Sequence, residues 1–242
     1  MSLKMLWQQI PNHIVTDIMT QTDVFDGVVL DTEHAGFNIE TIVALIALSI
    51  AKKKECFVRL TEPNEAFVRQ CLDAGATGII CANVDRTKAI KLREMCYYPP
   101  RGKRGLGLTR SNMWGTHGYL KNDRNLKIIA QIESEYTVRD IIGITLCYDF
   151  DYYMIGPYDL SMDLGCPGNF KNSKYIDCIN LFKKSIPKEK RGYHVVHVNS
   201  EYSAYLEKIK DEYEFVAYGL DTLAIIEYIK YIEKQVEKGN LE

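Results

Sequence analysis

The sequence predicts an α/β fold, a (β/α)8 barrel of one domain spanning residues 1–242, and three observations carry the prediction. Short apolar runs alternate with amphipathic stretches of helical length. The runs are apolar enough to imply a parallel sheet covered on its faces. No G-x-G-x-x-G follows an early strand, which sets aside an open, doubly wound, dinucleotide-binding sheet.

In chain order, "DGVVLDTE" (26–33) reads as a strand, followed by a helix from Asn38 to Lys52. "CFVRL" (56–60) precedes the helix "NEAFVRQCLDAG", which stops on Gly75. "GIICAN" (78–83) precedes "DRTKAIKLREMC", and "LKIIAQIE" (126–133) precedes "SEYTVRDIIGI". "YYMIGP" (152–157) leads to a helix near 172–185, and "GYHVVHV" (192–198) to "SEYSAYLEKIK". "EFVAYGL" (214–220) precedes the last helix, "DTLAIIEYIKYIEKQVEK". A strand at "HIVTDIM" (13–19) would complete the eight. The long irregular segment 97–125 carries Pro99, Pro100, four arginines and two lysines, and loops of this length are usually functional. Its turn "PPRGKRG" offers charge for a phosphate or a carboxylate, or is a solvated loop.

Charge and composition narrow the function. With 242 residues and a net charge of −2, the chain has no basic field for nucleic acid or an anionic membrane. Its longest apolar run, "IVALIALSIA" (42–51), falls short of the roughly 20 residues that span a bilayer. The N-terminus lacks the apolar stretch of a signal peptide. Seven cysteines, an odd number with no CxxC pair, read as reduced core thiols. Together these features predict a cytoplasmic protein.

Active sites of such barrels lie at the C-terminal ends of the strands. There the sequence places Asp31, Glu33 and His34, then Arg59, then Gln131 and Glu133, then Asp159. Gln131 and Glu133 share a strand face, as do Asp31 and Glu33. Glu133 and Asp159 are 26 residues apart, about one β-α unit. Two carboxylates on adjacent strand ends repel unless a proton or a cation lies between them. Two carboxylates completed by water and a substrate oxygen suit Mg²⁺ or Mn²⁺. Asp159 and Ser161 are also good helix caps, and Arg59 could simply pair with Glu133. In "HVVH" (194–197) the histidines are three apart, so on a strand at most one faces the interior.

The ordered motifs "FDGVVLDTEHA", "FVRL", "QCLDAGATGII", "YPPRGKRGLG", "AQIES" and "IGPYDLSMDLG" resemble the HpcH/HpaI aldolases, class II pyruvate aldolases of the phosphoenolpyruvate/pyruvate barrel superfamily. The resemblance implies that Glu133 and Asp159 hold a divalent metal, Mg²⁺ or Mn²⁺ with Co²⁺ as a substitute. Pyruvate or its enolate would chelate it through carboxylate and keto oxygens. It further implies that Arg59 stabilises the enolate, and that His34 is the general acid/base, oriented by Asp31. Glu33 would support a metal-bound water. Gln131 would contact pyruvate or stand just behind the residues that do, and backbone amides from Gly156 through Pro157 and Tyr158 to Asp159 would take its carboxylate. Asp73 reaches a neighbouring subunit's site. A homo-oligomer, hexamer or trimer, that exchanges its last helix is implied as well.

The chain departs from the family pattern at Tyr158, where a small residue is usual. It also departs at Ala82-Asn83, where an apolar-Pro-Met segment is common, and in lacking a glycine-rich first strand. The expected reaction is cleavage of a 4-hydroxy-2-oxo acid to pyruvate and an aldehyde. The alternatives are an acyl-CoA lyase of the citrate lyase β type and a catalytically silent barrel subunit.

Overall fold

Eight parallel strands pair in chain order, and the last returns to the first to close a barrel. The computed structural model describes residues 2–116, 125–197 and 203–237. Within them the order is β1 (Leu3–Gln8), α1 (His13–Met19), β2 (Gly27–Asp31), α2 (Ile39–Ala51), β3 (Glu55–Leu60), α3 (Glu65–Ala74), β4 (Gly78–Cys81) and α4 (Arg86–Cys96). Then come β5 (Lys127–Ile132), α5 (Glu135–Arg139), α6 (Ile141–Cys147), β6 (Tyr152–Ile155), α7 (Pro157–Asp163), α8 (Ser173–Ser185), β7 (Arg191–Val195), α9 (Ser203–Glu212), β8 (Phe215–Tyr218) and α10 (Asp221–Glu237).

Period-two alternation sorts the strand residues into two cores. Met5, Trp7, Val29, Phe57, Ile80, Ile129, Met154, Phe215 and Ala217 fill the barrel interior. Their sequence neighbours, including Val28, Leu30, Val58, Ile79, Ala130, Tyr153 and Ile155, face the helices. All seven cysteines are free thiols, six of them buried.

The first strand is not where the sequence pointed. "HIVTDIM" forms α1, and "LKMLWQ" forms β1. The β-branched residues at 14–16 mimic a strand, but Asn12 caps the segment by accepting the Ile14 N–H, and Thr16 is the buried residue one turn into the helix. β1 hides because Lys4 and Gln8 interrupt its apolar pattern, while Met5 and Trp7 point into the barrel.

Two further elements differ. Gly156-Pro157, read as a strand end, starts the extra helix α7, with Gly156 as N-cap and Pro157 at the first helical position. The helix "SEYTVRDIIGI" is broken at Asp140 into α5 and α6. Residue 198 of the seventh predicted strand, residues 200–202 of the helix after it, residue 238 of the last helix and residues 117–124 of the long segment lie outside the described residues.

The basic segment after α4 runs to the start of β5, so it lies at the N-terminal end of the barrel, away from its own chain's site. The charges of its turn 101–104 are answered within the chain. Buried Arg104 pairs with Asp73 (2.6 Å) and lies over the Tyr98 ring, Arg101 covers the Tyr97 ring, and Lys103 pairs with Glu94.

Candidate active site

One layer above the apolar interior, the inward-facing positions turn polar. Asp31 lies two residues beyond Val29, Arg59 two beyond Phe57, Gln131 two beyond Ile129 and Gly156 two beyond Met154. With Trp7, Gln9, His34, Pro157, Tyr158, Asp159 and His194 they line a cavity of about 280 Å³. The same alternation that fills the barrel therefore delivers the site.

Arg59 is the hub. The residue is 4% exposed, and its guanidinium is flanked by three carboxylates: Asp31 at 3.4 Å, Glu133 at 3.2 Å, and Glu33 in direct contact. Asp31 is fully buried. Burial works against its charge, but Arg59, the Trp7 indole and the Gln9 amide outweigh it and hold the carboxyl below its ordinary value. Glu133 goes the other way. Its Oε2 accepts the Asn83 N–H (2.8 Å) and Oε1 faces Arg59, yet burial, with Asp159 and Glu33 nearby, pushes its carboxyl up to about 7.

Asp31, Glu33, Arg59, Gln131, Gly156, Pro157 and Asp159 are thus brought together as the sequence implied, with Glu133 beside them. Tyr158 joins them at the rim. Asp159 is not a cap: Gly156 holds that position, and Asp159 is third in α7, exposed at the cavity. Asp163 has a separate place, accepting the Glu135 N–H at the start of α5 (2.7 Å). The tie between Asp31 and His34 differs from expectation. Asp31 Oδ1 accepts the backbone N–H of His34 (3.3 Å) and of Glu33 (3.2 Å), so it anchors the loop and not the imidazole. The His34 ring faces Glu33 at 3.9 Å. Asp73 is not in its own chain's site. It sits at the C-terminal end of α3, at the opposite end of the barrel, paired with Arg104.

Sequence reasoning missed Trp7 and Gln9, which come with the misplaced strand, and His194. His194 stacks on Trp7 (4.1 Å, 19°), and burial, with Arg59 nearby, lowers its pKa to about 4. His197 leaves the interior for the outer rim near Tyr158 (6.1 Å). The tyrosine ring, 37% exposed, leans edge-on against Phe170 (5.3 Å) and walls one side of the cavity.

Among the described residues, no group of three or more His, Cys, Asp or Glu is arranged to hold a metal ion. The donor set here is two carboxylates, which suits a hard cation that keeps water and takes substrate oxygens. Three features fit such a cation. Glu133 is strained towards protonation without one. The buried Gln131 Oε1 has no hydrogen-bond partner among the described residues. Gly156 leaves open the space that a Cβ would fill, 2.6 Å from Glu133 Oε1.

The HpcH/HpaI aldolase/citrate lyase family matches residues 3–227. The chain is 28% identical to the 5-keto-4-deoxy-D-glucarate aldolase of Escherichia fergusonii over 206 residues, 83% of this chain and 80% of that one. It is 30% identical to the 4-hydroxy-2-oxovalerate aldolase of Rhodococcus jostii over 160 residues, 64% of this chain and 62% of the relative. The crystal structure of the HpcH/HpaI aldolase from Desulfitobacterium hafniense superposes with a TM-score of 0.84 at 22% identity, covering 98% of this chain and 92% of that one. Among the described residues, no helix is long and apolar enough to cross a membrane.

Proposed function

The chain belongs to the HpcH/HpaI aldolase/citrate lyase family, and from that premise we propose that it is a divalent-metal-dependent aldolase acting as one domain on 4-hydroxy-2-oxo acids. The products are pyruvate and an aldehyde. The observation that carries the reading is Arg59, a buried cation at the floor of the cavity, held by Asp31, Glu33 and Glu133. A guanidinium fixed in this way is preorganised for an oxygen on which negative charge develops.

His34, half exposed at the mouth, removes the proton from the C4 hydroxyl of the substrate. The C3–C4 bond breaks, the aldehyde leaves, and the electron pair passes to the enolate of pyruvate. Arg59 stabilises the enolate oxygen, and a proton returned to C3 completes pyruvate. Glu133 and Asp159 would hold a divalent cation, Mg²⁺ or Mn²⁺ with Co²⁺ as a substitute, which would supply further positive charge for the enolate. Glu33 restrains Arg59 and faces His34, and the Gln131 amide orients the substrate. The pyruvate carboxylate goes to backbone amides in the 156–159 stretch. Gly156 N–H is already bonded to Ile132 O, and Pro157 has none, which narrows the assignment to Tyr158 and Asp159.

Two accompanying assignments complete the proposal. The enzyme is cytoplasmic, in keeping with its seven free thiols. It is also a homo-oligomer, hexamer or trimer. No side chain of α10 is buried, and Ile225, Ile226, Ile229, Ile232 and Val236 are exposed along it. Beside its first turns lies an apolar groove of about 780 Å³, lined by Leu6, Ile10, Val15, Ile18, Met19 and Tyr218 among others. In the assembly, a second copy's α10 would dock there. Asp73 would then act on a neighbour's site.

The test is oxaloacetate decarboxylation, which passes through the same enolate. Pyruvate should form with Mg²⁺ or Mn²⁺ and stop with a chelator. No pyruvate with any divalent metal overturns the aldolase reading and leaves the acyl-CoA lyase and silent-subunit ones.

A further inference from the structure

Gln9 stands in the loop after β1, where its side chain enters the cavity. Every polar atom of its amide is committed. Nε2–H donates to Asp31 Oδ2 (3.1 Å), the same oxygen that accepts the Trp7 indole N–H (3.0 Å). Oε1 accepts the Thr222 hydroxyl (2.9 Å) from the first turn of α10. The backbone joins in: the N–H groups of Gln9 and Ile10 donate to the two oxygens of Asp221, both at 2.9 Å.

We propose that Gln9 is a positioning residue that ties the Asp31 carboxylate to the first turn of α10. Asp31 needs such a tie. Its Oδ1 already holds the Glu33 and His34 amides and Arg59, so any rotation of the carboxylate moves three groups of the site at once. Trp7 and Gln9 fix Oδ2 from the opposite side and set that rotation. Through Thr222, the Gln9 amide is itself oriented by a helix that buries no side chain in its own barrel. Seating α10 and setting Asp31 are therefore linked events, and the link runs through one side chain.

The activity arm of the test rests on the aldolase reading, and a second arm does not. Gln9→Met keeps the length of the side chain and removes both bonds. A hydrogen bond to a charged group contributes on the order of a tenfold effect or more. With metal-loaded, full-length protein and oxaloacetate, kcat of Gln9→Met should fall about tenfold with KM changed less than about twofold. Thr222→Val should lower kcat by a smaller factor, and the double variant should be no worse than Gln9→Met, because Thr222 acts through Gln9. An unchanged kcat in Gln9→Met, or multiplicative losses in the double variant, overturns the proposal.

In the second arm the protein is labelled with 15N-tryptophan, and Trp114→Phe assigns the Trp7 indole signal. Loss of the competing donor on Asp31 Oδ2 should shift the Trp7 indole N–H resonance in Gln9→Met, and less so in Thr222→Val. A resonance that stays in place overturns the tie even if the enzyme is active. A wild type that forms no pyruvate, together with the shifts in the two variants, overturns the aldolase reading and keeps the tie.

Discussion

Gly156→Ala is the smallest change that should disable this site. The backbone at Gly156 (φ −94°, ψ 95°) accepts alanine without strain, so the effect is purely one of space. The new Cβ would lie 2.6 Å from Glu133 Oε1, 2.7 Å from Glu133 Cγ and 2.9 Å from Gln131 Nε2. Glu133 cannot simply swing aside, because the Asn83 N–H (2.8 Å) and Arg59 (3.2 Å) pin both of its oxygens. Overpacking of this kind costs about 1–3 kcal/mol, against a gain of roughly 0.4–1 kcal/mol for replacing glycine at an unstrained position. A net loss of about 1–2 kcal/mol should appear as a lower urea midpoint at unchanged slope. The larger effect is functional. Displacing a metal-side carboxylate by about 1 Å should lower kcat/KM about 100-fold and weaken Mg²⁺ binding measured by calorimetry. Gly105→Ala is the control, since beyond its chain neighbours no atom of the described residues lies within 4 Å of its added Cβ, and it should behave as wild type. A Gly156→Ala enzyme with wild-type metal affinity and turnover would refute the assignment of Glu133 and of the space beside it.

Two further outcomes are expected. Arg59→Lys keeps one charge but loses the fork that meets three carboxylates, so kcat should fall about 100-fold or more while Mg²⁺ affinity changes little; full turnover in a kinetic assay would remove Arg59 from the mechanism. The more drastic Arg59→Ala would leave buried acids unpaired at about 3–5 kcal/mol, so it reports on folding as well as on chemistry. His194 is held neutral, with its pKa lowered from 6.5 to about 4. The unfolded chain therefore binds the extra proton first, and stability should be lost as pH falls from about 6.5 towards 4. At roughly 1.4 kcal/mol for each pH unit this is about 3 kcal/mol. Urea melts of wild type and His194→Gln across that range should show the steeper fall in wild type, and parallel curves would show that His194 is not the group responsible.

Much of the site was legible because a barrel strand repeats every two residues. Asp31, Arg59 and Gln131 each extend an inward apolar position by one step, so their chemistry follows from their pattern. What was illegible has identifiable causes. β1 is a strand by pairing and not by composition: Lys4 and Gln8 blur its pattern, while the β-branched residues of α1 imitate one nearby. With β1 misplaced, Trp7 and Gln9 had no route to the site. Of the two histidines in "HVVH", the spacing left open which faces inward; His194 does, as both core and cavity wall, because its ring stacks on Trp7 at the boundary of the two layers. Asp163 is explained by a bond to Glu135, 28 residues away, which no local pattern encodes. α10 has the amphipathic pattern of a packed helix, yet none of its side chains is buried in its own chain among the described residues.

The central claim is tested most directly by pyruvate release from 4-hydroxy-2-oxo acids, followed by coupling to lactate dehydrogenase, with and without a chelator. Wild type should release pyruvate and aldehyde in equal amounts when Mg²⁺ or Mn²⁺ is present. Glu133→Gln, which keeps the shape of the side chain and removes its charge, should release none. Pyruvate formed equally well by the chelated enzyme or by Glu133→Gln would contradict the metal-dependent mechanism. No release from a series of such acids with any divalent metal would contradict the aldolase assignment itself.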